Sequence, residues 1–214
     1  QELFYQKFID SKKINIFIFG DSHSRDLLLI LNESDKISNI YNFSLTDYDA
    51  ADAVLYSRQI YEDEIDKLET LNVFKKALID KKKIIIISRA AEFYLGNISP
   101  LLYSLTQNQK NIEAYKNLNK EFIDQNFYKI LRDDIIKINI RLKKKAKEMG
   151  ALYLDRVKLA CNLGGKKCHS MTEDGYALYW DHSHLTWKGV FFFSNLVDKT
   201  NWFSPVKKFL MNGS

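Results

Sequence analysis

Proline is almost missing from this 214-residue chain, with 2 residues, and glycine is sparse at 8. That scarcity argues against long disordered linkers. Long apolar runs are missing as well. Ile84-Ile85-Ile86-Ile87 and Phe191-Phe192-Phe193 are core-sized, far short of the roughly 18 residues that cross a bilayer. No signal-peptide pattern opens the sequence. It begins at Gln1 rather than Met, so the expectation is a processed or excised piece of something longer, and the missing targeting segment says little about where it works. No strong charge of one sign is present either: 32 basic and 27 acidic residues leave +5. The clusters Lys81-Lys82-Lys83 and Lys143-Lys144-Lys145 read as solvated faces. A nucleic-acid binder would need a basic stripe interleaved with stacking aromatics, and none appears. What is present is 46% hydrophobic and 14% aromatic residues, enough for a single α/β domain with a well-buried core.

The two cysteines, Cys161 and Cys168, bound a Gly-rich stretch, Cys-Asn-Leu-Gly-Gly-Lys-Lys-Cys. A local disulfide is the favoured reading and implies an oxidising compartment. Two free thiols are an alternative. Zinc on Cys161, Cys168 and His169 is another, but the spacing fits none of the usual ligand patterns, and the expectation is no metal.

Strands and helices alternate. Residues 13–19 form a continuous apolar, β-branched and aromatic run, as in a strand buried on both faces. Further strands are expected at 37–43, 51–57, 83–88 and 151–155. Helices are expected at 23–33, at 60–80 from the spacing of Ile60, Ile65, Leu68, Leu71, Phe74 and Leu78, at 111–149 with a break near Gln125–Asn126, and at 186–198. Gly150 should cap the third of these. Residues 89–110, irregular and holding Gly96 and Pro100, read as a loop or lid. The alternation implies a mainly parallel sheet flanked by helices, whose function collects at the C-terminal strand ends.

The first strand ends at Gly20-Asp21-Ser22-His23-Ser24. A serine there is held rigidly by the strand, turned by the glycine and placed at a helix N-terminus with free N–H groups, so it can attack a carbonyl while its own amide holds the oxyanion. Asp21 or Ser22 could equally be a plain helix cap. Near the other end the chain reads Tyr-Trp-Asp-His-Ser-His-Leu-Thr-Trp-Lys-Gly over 179–189. Asp181 and His184, three apart, let a carboxylate reach the imidazole Nδ1–H and leave Nε2 to take a serine proton. His182 should point elsewhere, at the rim. A helix N-terminus with incidental histidines is the bland alternative, and it weakens because both motifs occur in one chain. The order and spacing differ from those of the α/β-hydrolases, and no Gly-x-Ser-x-Gly elbow is present.

These two blocks resemble those of the SGNH (GDSL-type) hydrolase superfamily: Gly-Asp-Ser after the first strand and Asp-x-x-His before the last helix, over residues 13 to about 198. The resemblance implies a three-layer, flavodoxin-like fold with about five mainly parallel strands, Ser22 as nucleophile, Asp181 as acid and His184 as base, without a cofactor. More narrowly, Gly-Asp-Ser-His, the cysteine-bounded loop and Leu-Tyr-Trp-Asp-His-Ser-His-Leu-Thr-Trp-Lys-Gly look like the SGNH domains fused to acyltransferase-3 membrane proteins. That implies one SGNH domain over 1–214, excised from a membrane-tethered protein and working outside the cytoplasmic membrane. Its partners would be an acylated donor, a glycan acceptor and an N-terminal acyltransferase-3 membrane domain. The superfamily's middle blocks, a Gly after the second strand and Gly-x-Asn-Asp after the third, have no match in Asn42-Phe43-Ser44 or Ser57-Arg58-Gln59. Besides the Ser22 amide, either Ser44 or the Arg58 region supplies the second oxyanion donor, or the hole stays incomplete until a partner or substrate arrives; a lost donor costs about 100–1000-fold in rate.

The leading expectation is O-acyl transfer, in practice O-acetylation, of an envelope polysaccharide, lipopolysaccharide or peptidoglycan. A carbohydrate O-acetyl esterase uses the same first half-reaction with water as acceptor, and a non-catalytic glycan-binding domain is the reading from a different class. Acceptor binding and water exclusion should depend on the 89–110 segment and on Phe93, Tyr94, Tyr179, Trp180 and Trp187, each of which is more often a core residue than a sugar platform.

Overall fold

The computed structural model describes Phe8, residues 12–94 and residues 120–211. Five parallel strands form the sheet: β1 (Ile14–Gly20), β2 (Tyr41–Ser44), β3 (Ala53–Ser57), β4 (Lys83–Ile87) and β5 (Leu152–Leu154), in the order β2-β1-β3-β4-β5. Their side chains alternate between two cores, as the period of a strand requires. Ile16, Ile18, Ala53, Leu55, Ile85 and Ile87 face one side. Phe17, Val54, Tyr56, Ile84 and Ile86 face the other. The first core is covered by α1 (Ser22–Glu33), α4 (Lys120–Lys129) and, at the C-terminus, α7 (Trp187–Thr200) and α8 (Ser204–Met211). The second is covered by a 3-10 segment (Glu62–Thr70), α3 (Asn72–Ile79) and α5 (Asp133–Glu148). This is the three-layer α/β arrangement expected of the sequence. Among the described residues no helix is long and apolar enough to cross a membrane.

Several boundaries differ from the periodicity. The second strand starts at Tyr41; the residues before it form the helical turn α2 (Asp35–Ser38), because the Ser34 side chain accepts the Ile37 N–H and caps it. The helix over 60–80 is two pieces, joined at Leu71, whose backbone is extended (φ −62°, ψ 134°). The long helix breaks at 130–132 and not at Gln125–Asn126, which lie inside α4. The cause is tertiary: Tyr94 donates to the Ile130 carbonyl, Arg132 donates to the Glu92 carbonyl, and Leu131 bridges to Phe93. Residues 111–119 lie outside the described residues. Gly150 ends α5 as expected, with φ +66°; its N–H reaches the Lys147 carbonyl and the Ala151 N–H the Ala146 carbonyl, which closes a Schellman cap. The eight-residue α8 and the short α6 (Arg156–Ala160) were not foreseen.

Cys161 and Cys168 lie opposite each other in an antiparallel pair of two-residue strands, β6 (Cys161–Asn162) and β7 (Lys167–Cys168), and are joined by a disulfide. With both sulfurs so engaged, no thiolate is left for zinc, and His169 rests instead on the Phe192 ring at 5.0 Å.

Candidate active site

In the order β2-β1-β3, successive connections leave β1 on opposite sides, so the crevice of this sheet lies at the C-terminal ends of β1 and β3. Gly20 closes β1 there. A Cβ on it would sit 1.8 Å from the Ser57 carbonyl oxygen of β3, so only glycine lets the two strand ends approach this closely. Asp21 follows as N-cap of α1: Oδ1 accepts the His23 N–H at 2.9 Å, and Oδ2 accepts the Gln59 N–H at 2.8 Å. Ser22 is the first residue of α1 and is exposed.

Trp180, Asp181, His182, Ser183 and His184 form the loop before α7. Asp181 Oδ1 accepts the Ser183 and His184 N–H groups at 2.8 and 2.7 Å, which winds the loop around the carboxylate. Its Oδ2 lies 2.7 Å from His184 Nδ1, and His184 Nε2 lies 2.8 Å from Ser22 Oγ. Thus the three residues read from the two motifs, 162 positions apart in sequence, form one hydrogen-bonded chain. Burial by itself pushes the Asp181 carboxyl up, but the His184 and Ser183 amides and the imidazole outweigh it and hold the pKa below the usual carboxylate value. The carboxylate therefore stays ionised and fixes Nδ1 as the protonated nitrogen, leaving Nε2 as acceptor toward Ser22. His182 lies to the side: its Nδ1 is 3.7 Å from Asp181 and its ring stands edge-on to His184. Its carbonyl accepts the Phe93 N–H at 3.0 Å, which ties the loop to the segment after β4.

Two rings stack on His184: buried His23 at 5.2 Å and 16°, and Trp180, 66% exposed, at 5.6 Å and 27°. The His23 pKa is lowered to about 4, first by burial and then by Arg156, so His23 is a neutral spacer at neutral pH. Arg156 Nη1 donates to the His23 carbonyl at 2.8 Å. Both stacks escaped sequence reasoning. The only hint was the adjacency of His23 to Ser22 and of Trp180 to Asp181.

The proposed oxyanion side chains lie elsewhere. Ser44, 2% exposed, uses its Oγ to accept the Thr46 and Asp47 N–H groups at 3.1 and 3.0 Å and so caps its own turn. The Arg58 guanidinium turns to Glu64 at 3.4 Å. The Ser44 and Arg58 side chains are thus committed to local structure and not to Ser22. Of the aromatics, Phe93 and Tyr179 are core residues, stacked edge-on at 5.2 Å. Tyr94, Trp180 and Trp187 are exposed; Tyr94 Oη lies 3.2 Å from Asp133 Oδ1, and Trp187 leans on Phe191 at 6.2 Å. Of the 89–110 segment, residues 89–94 hold tightly to neighbouring chain, and 95–110 lie outside the described residues.

No family model matches the sequence. A search of curated proteins finds no match either. Solved structures do match. The periplasmic domain of a lipopolysaccharide acetyltransferase from Salmonella ser. Paratyphi A is similar with a TM-score of 0.61 at 18% identity, over 90% of this chain and 85% of that one. Looser likenesses are an acetyl xylan esterase (TM-score 0.48, 15% identity, 87% of this chain and 99% of that one) and a GDSL-like lipase from Bacteroides thetaiotaomicron (0.46, 11%, 91% and 90%). At such identities it is architecture that is shared: the chain has the three-layer, flavodoxin-like fold of the SGNH hydrolases.

Proposed function

We propose that this chain is a serine acyltransferase domain that moves an acyl group, in practice acetyl, onto a hydroxyl of an envelope glycan. The observation that carries the reading is the chain Ser22 Oγ–His184 Nε2 and His184 Nδ1–Asp181 Oδ2, at 2.8 and 2.7 Å, at the C-terminal edge of the sheet. In the first half-reaction Ser22 Oγ attacks the acyl carbonyl carbon and gives its proton to His184 Nε2. The donor's oxygen then leaves with that proton, and the acyl group stays as a Ser22 ester. In the second, the acceptor hydroxyl loses its proton to His184 Nε2 and attacks the ester, the acyl–Oγ bond breaks, and Ser22 Oγ takes that proton back from His184. No cofactor enters either half.

Trp180, exposed and stacked on His184, offers a flat apolar face where an acceptor sugar ring would lie beside the base. The lipopolysaccharide acetyltransferase domain that shares the fold supports an acetyl donor and a glycan acceptor. The disulfide supports work in an oxidising, extracytoplasmic compartment. A tether to a membrane domain of the acyltransferase-3 type, within a longer protein, belongs to the same reading. One observation favours a second reading, a carbohydrate O-acetyl esterase: Ser22 is exposed, so water can serve as acceptor.

The test combines a serine-directed fluorophosphonate with acetyl transfer and release measured on candidate envelope glycans. Wild type should label and turn over. Ser22→Ala and His184→Ala should abolish both, while His182→Ala retains most activity. Labelling that survives Ser22→Ala overturns the nucleophile; loss in His182→Ala with activity kept in His184→Ala reassigns the base. A wild type that never labels leaves the non-catalytic glycan-binding domain.

A further inference from the structure

A triad histidine serves two proton partners in turn: it takes the proton of the serine and gives it to the leaving oxygen. For that, His184 has to keep Nδ1 on Asp181 Oδ2 and Nε2 on Ser22 Oγ, at 2.7 and 2.8 Å. The torsion that turns an imidazole is broad and roughly two-fold, and two hydrogen bonds at the ring's edge resist tipping out of their plane only weakly. His184 is also partly exposed. What restrains it lies on its faces.

On the protein side lies His23, the second residue of α1, with its ring at 5.2 Å and 16°. Its backbone is fixed at both ends. The N–H donates to Asp21 Oδ1 at 2.9 Å, and the carbonyl accepts Arg156 Nη1 at 2.8 Å. Arg156 is buried in turn, with its own N–H on Ser88 Oγ at 2.7 Å. His23 Nδ1 is buried without a hydrogen-bond partner among the described residues. A buried nitrogen left so is costly, so a bond of that atom does not account for the residue. The contact that the ring does make is face to face with His184. On the solvent side lies exposed Trp180, at 5.6 Å and 27°. Its N–H donates to the His184 carbonyl at 3.1 Å, and beside them Tyr179 bridges antiparallel to Leu185. Trp180 and His184 therefore stand opposite each other across a short antiparallel pair, where side chains lie side by side.

We propose that His23 and Trp180 are positioning residues that clamp the His184 imidazole between two flat faces. This rests on Ser22 as nucleophile and His184 as base. A ring held so can rock within its plane and cannot tip out of it. Rocking carries Nε2 from Ser22 Oγ toward the leaving oxygen while Nδ1 stays on Asp181, so the serine proton reaches that oxygen along one plane. The clamp acts through ring faces: another flat ring serves, and a side chain without one does not.

The test is kcat and KM for p-nitrophenyl acetate, an ester that needs no sugar platform. It is joined to the far-downfield proton resonance of His184 Nδ1–H, identified by its loss in His184→Ala. His23→Ala and Trp180→Ala should each lower kcat by about 10–100-fold, change KM by less than about threefold and broaden the resonance. His23→Phe and Trp180→Phe should recover most of kcat and the sharp line. Urea midpoints identify the folded variants; Trp180 is exposed, so its substitutions should keep the fold and leave the outer half of the clamp readable. A folded alanine variant with wild-type kcat and a sharp line overturns the proposal. So does a folded phenylalanine variant that loses as much as alanine. Activity that persists in Ser22→Ala would defeat the nucleophile and not the clamp, which the resonance of the resting protein then decides.

Discussion

His23 shows how much one buried ring can control. Its pKa is lowered to about 4 from 6.5, by burial first and Arg156 second, so between those values the unfolded chain binds a proton there that the folded chain refuses. Stability is therefore retained above about pH 6.5 and lost as the pH falls toward 4, by up to about 3 kcal/mol. His169, lowered mainly by burial, adds in the same sense. Asp26, raised mainly by its burial, acts oppositely, losing stability as the pH rises from about 3.8. Urea midpoints measured from pH 7 to about pH 4.5 should fall, and His23→Gln should flatten the slope. An equal slope in the variant would show that His23 is not the group responsible. None of this was legible in the sequence, where His23 was one more letter of a serine motif. Ser22, Asp181 and His184 could be read because their chemistry comes with short local spacings. The burial that neutralises His23, and the bond from Arg156 that is 133 residues away, belong to no local pattern.

The elements were legible in proportion to how locally they are determined. The central strands β1, β3 and β4 announce themselves by apolar runs, since both their faces meet a core. The breaks at Leu71 and at 130–132 stayed hidden: the second is imposed by backbone pairing with Tyr94 and Glu92, which no helical period encodes. Gly20 is the sharpest element-level requirement. Its missing side chain is what allows β1 and β3 to converge, so Gly20→Ala should cost several kcal/mol or prevent folding. Gly164→Ala, whose added Cβ would meet only Asn162 Oδ1 at 3.7 Å, should fall within about 0.5–1 kcal/mol of wild type. Soluble yield and urea midpoints decide it, and equal tolerance at both positions would contradict the close approach.

At the scale of the whole molecule, the sheet separates two cores, and the disulfide hairpin belongs to the one that also carries α1 and α7. Ser170, just past Cys168, gives its N–H and hydroxyl to Asp124 Oδ1 at 3.1 and 2.6 Å, tying the hairpin to α4. Reduction should lower the unfolding free energy by about 2–3 kcal/mol, as a short closed loop implies, and leave a single folded transition. An intact mass that does not rise by two hydrogens on reduction would refute the bond. The three-layer class and its site edge could be read from alternation alone. That the Ser44 and Arg58 side chains turn away from Ser22 could not, because the bonds that divert them, from the Thr46 and Asp47 amides to Ser44 and from Arg58 to Glu64, appear only in the folded chain.

The stack of Trp180 on His184 has an optical consequence. A protonated imidazole against an indole quenches its emission, whereas the neutral ring does so far less. With Trp187 and Trp202 replaced by phenylalanine, the emission of Trp180 would therefore report on the His184 ring alone, in the resting protein and without any substrate. An indole on the His184 imidazole is thus a built-in optical reporter on the ring proposed as base.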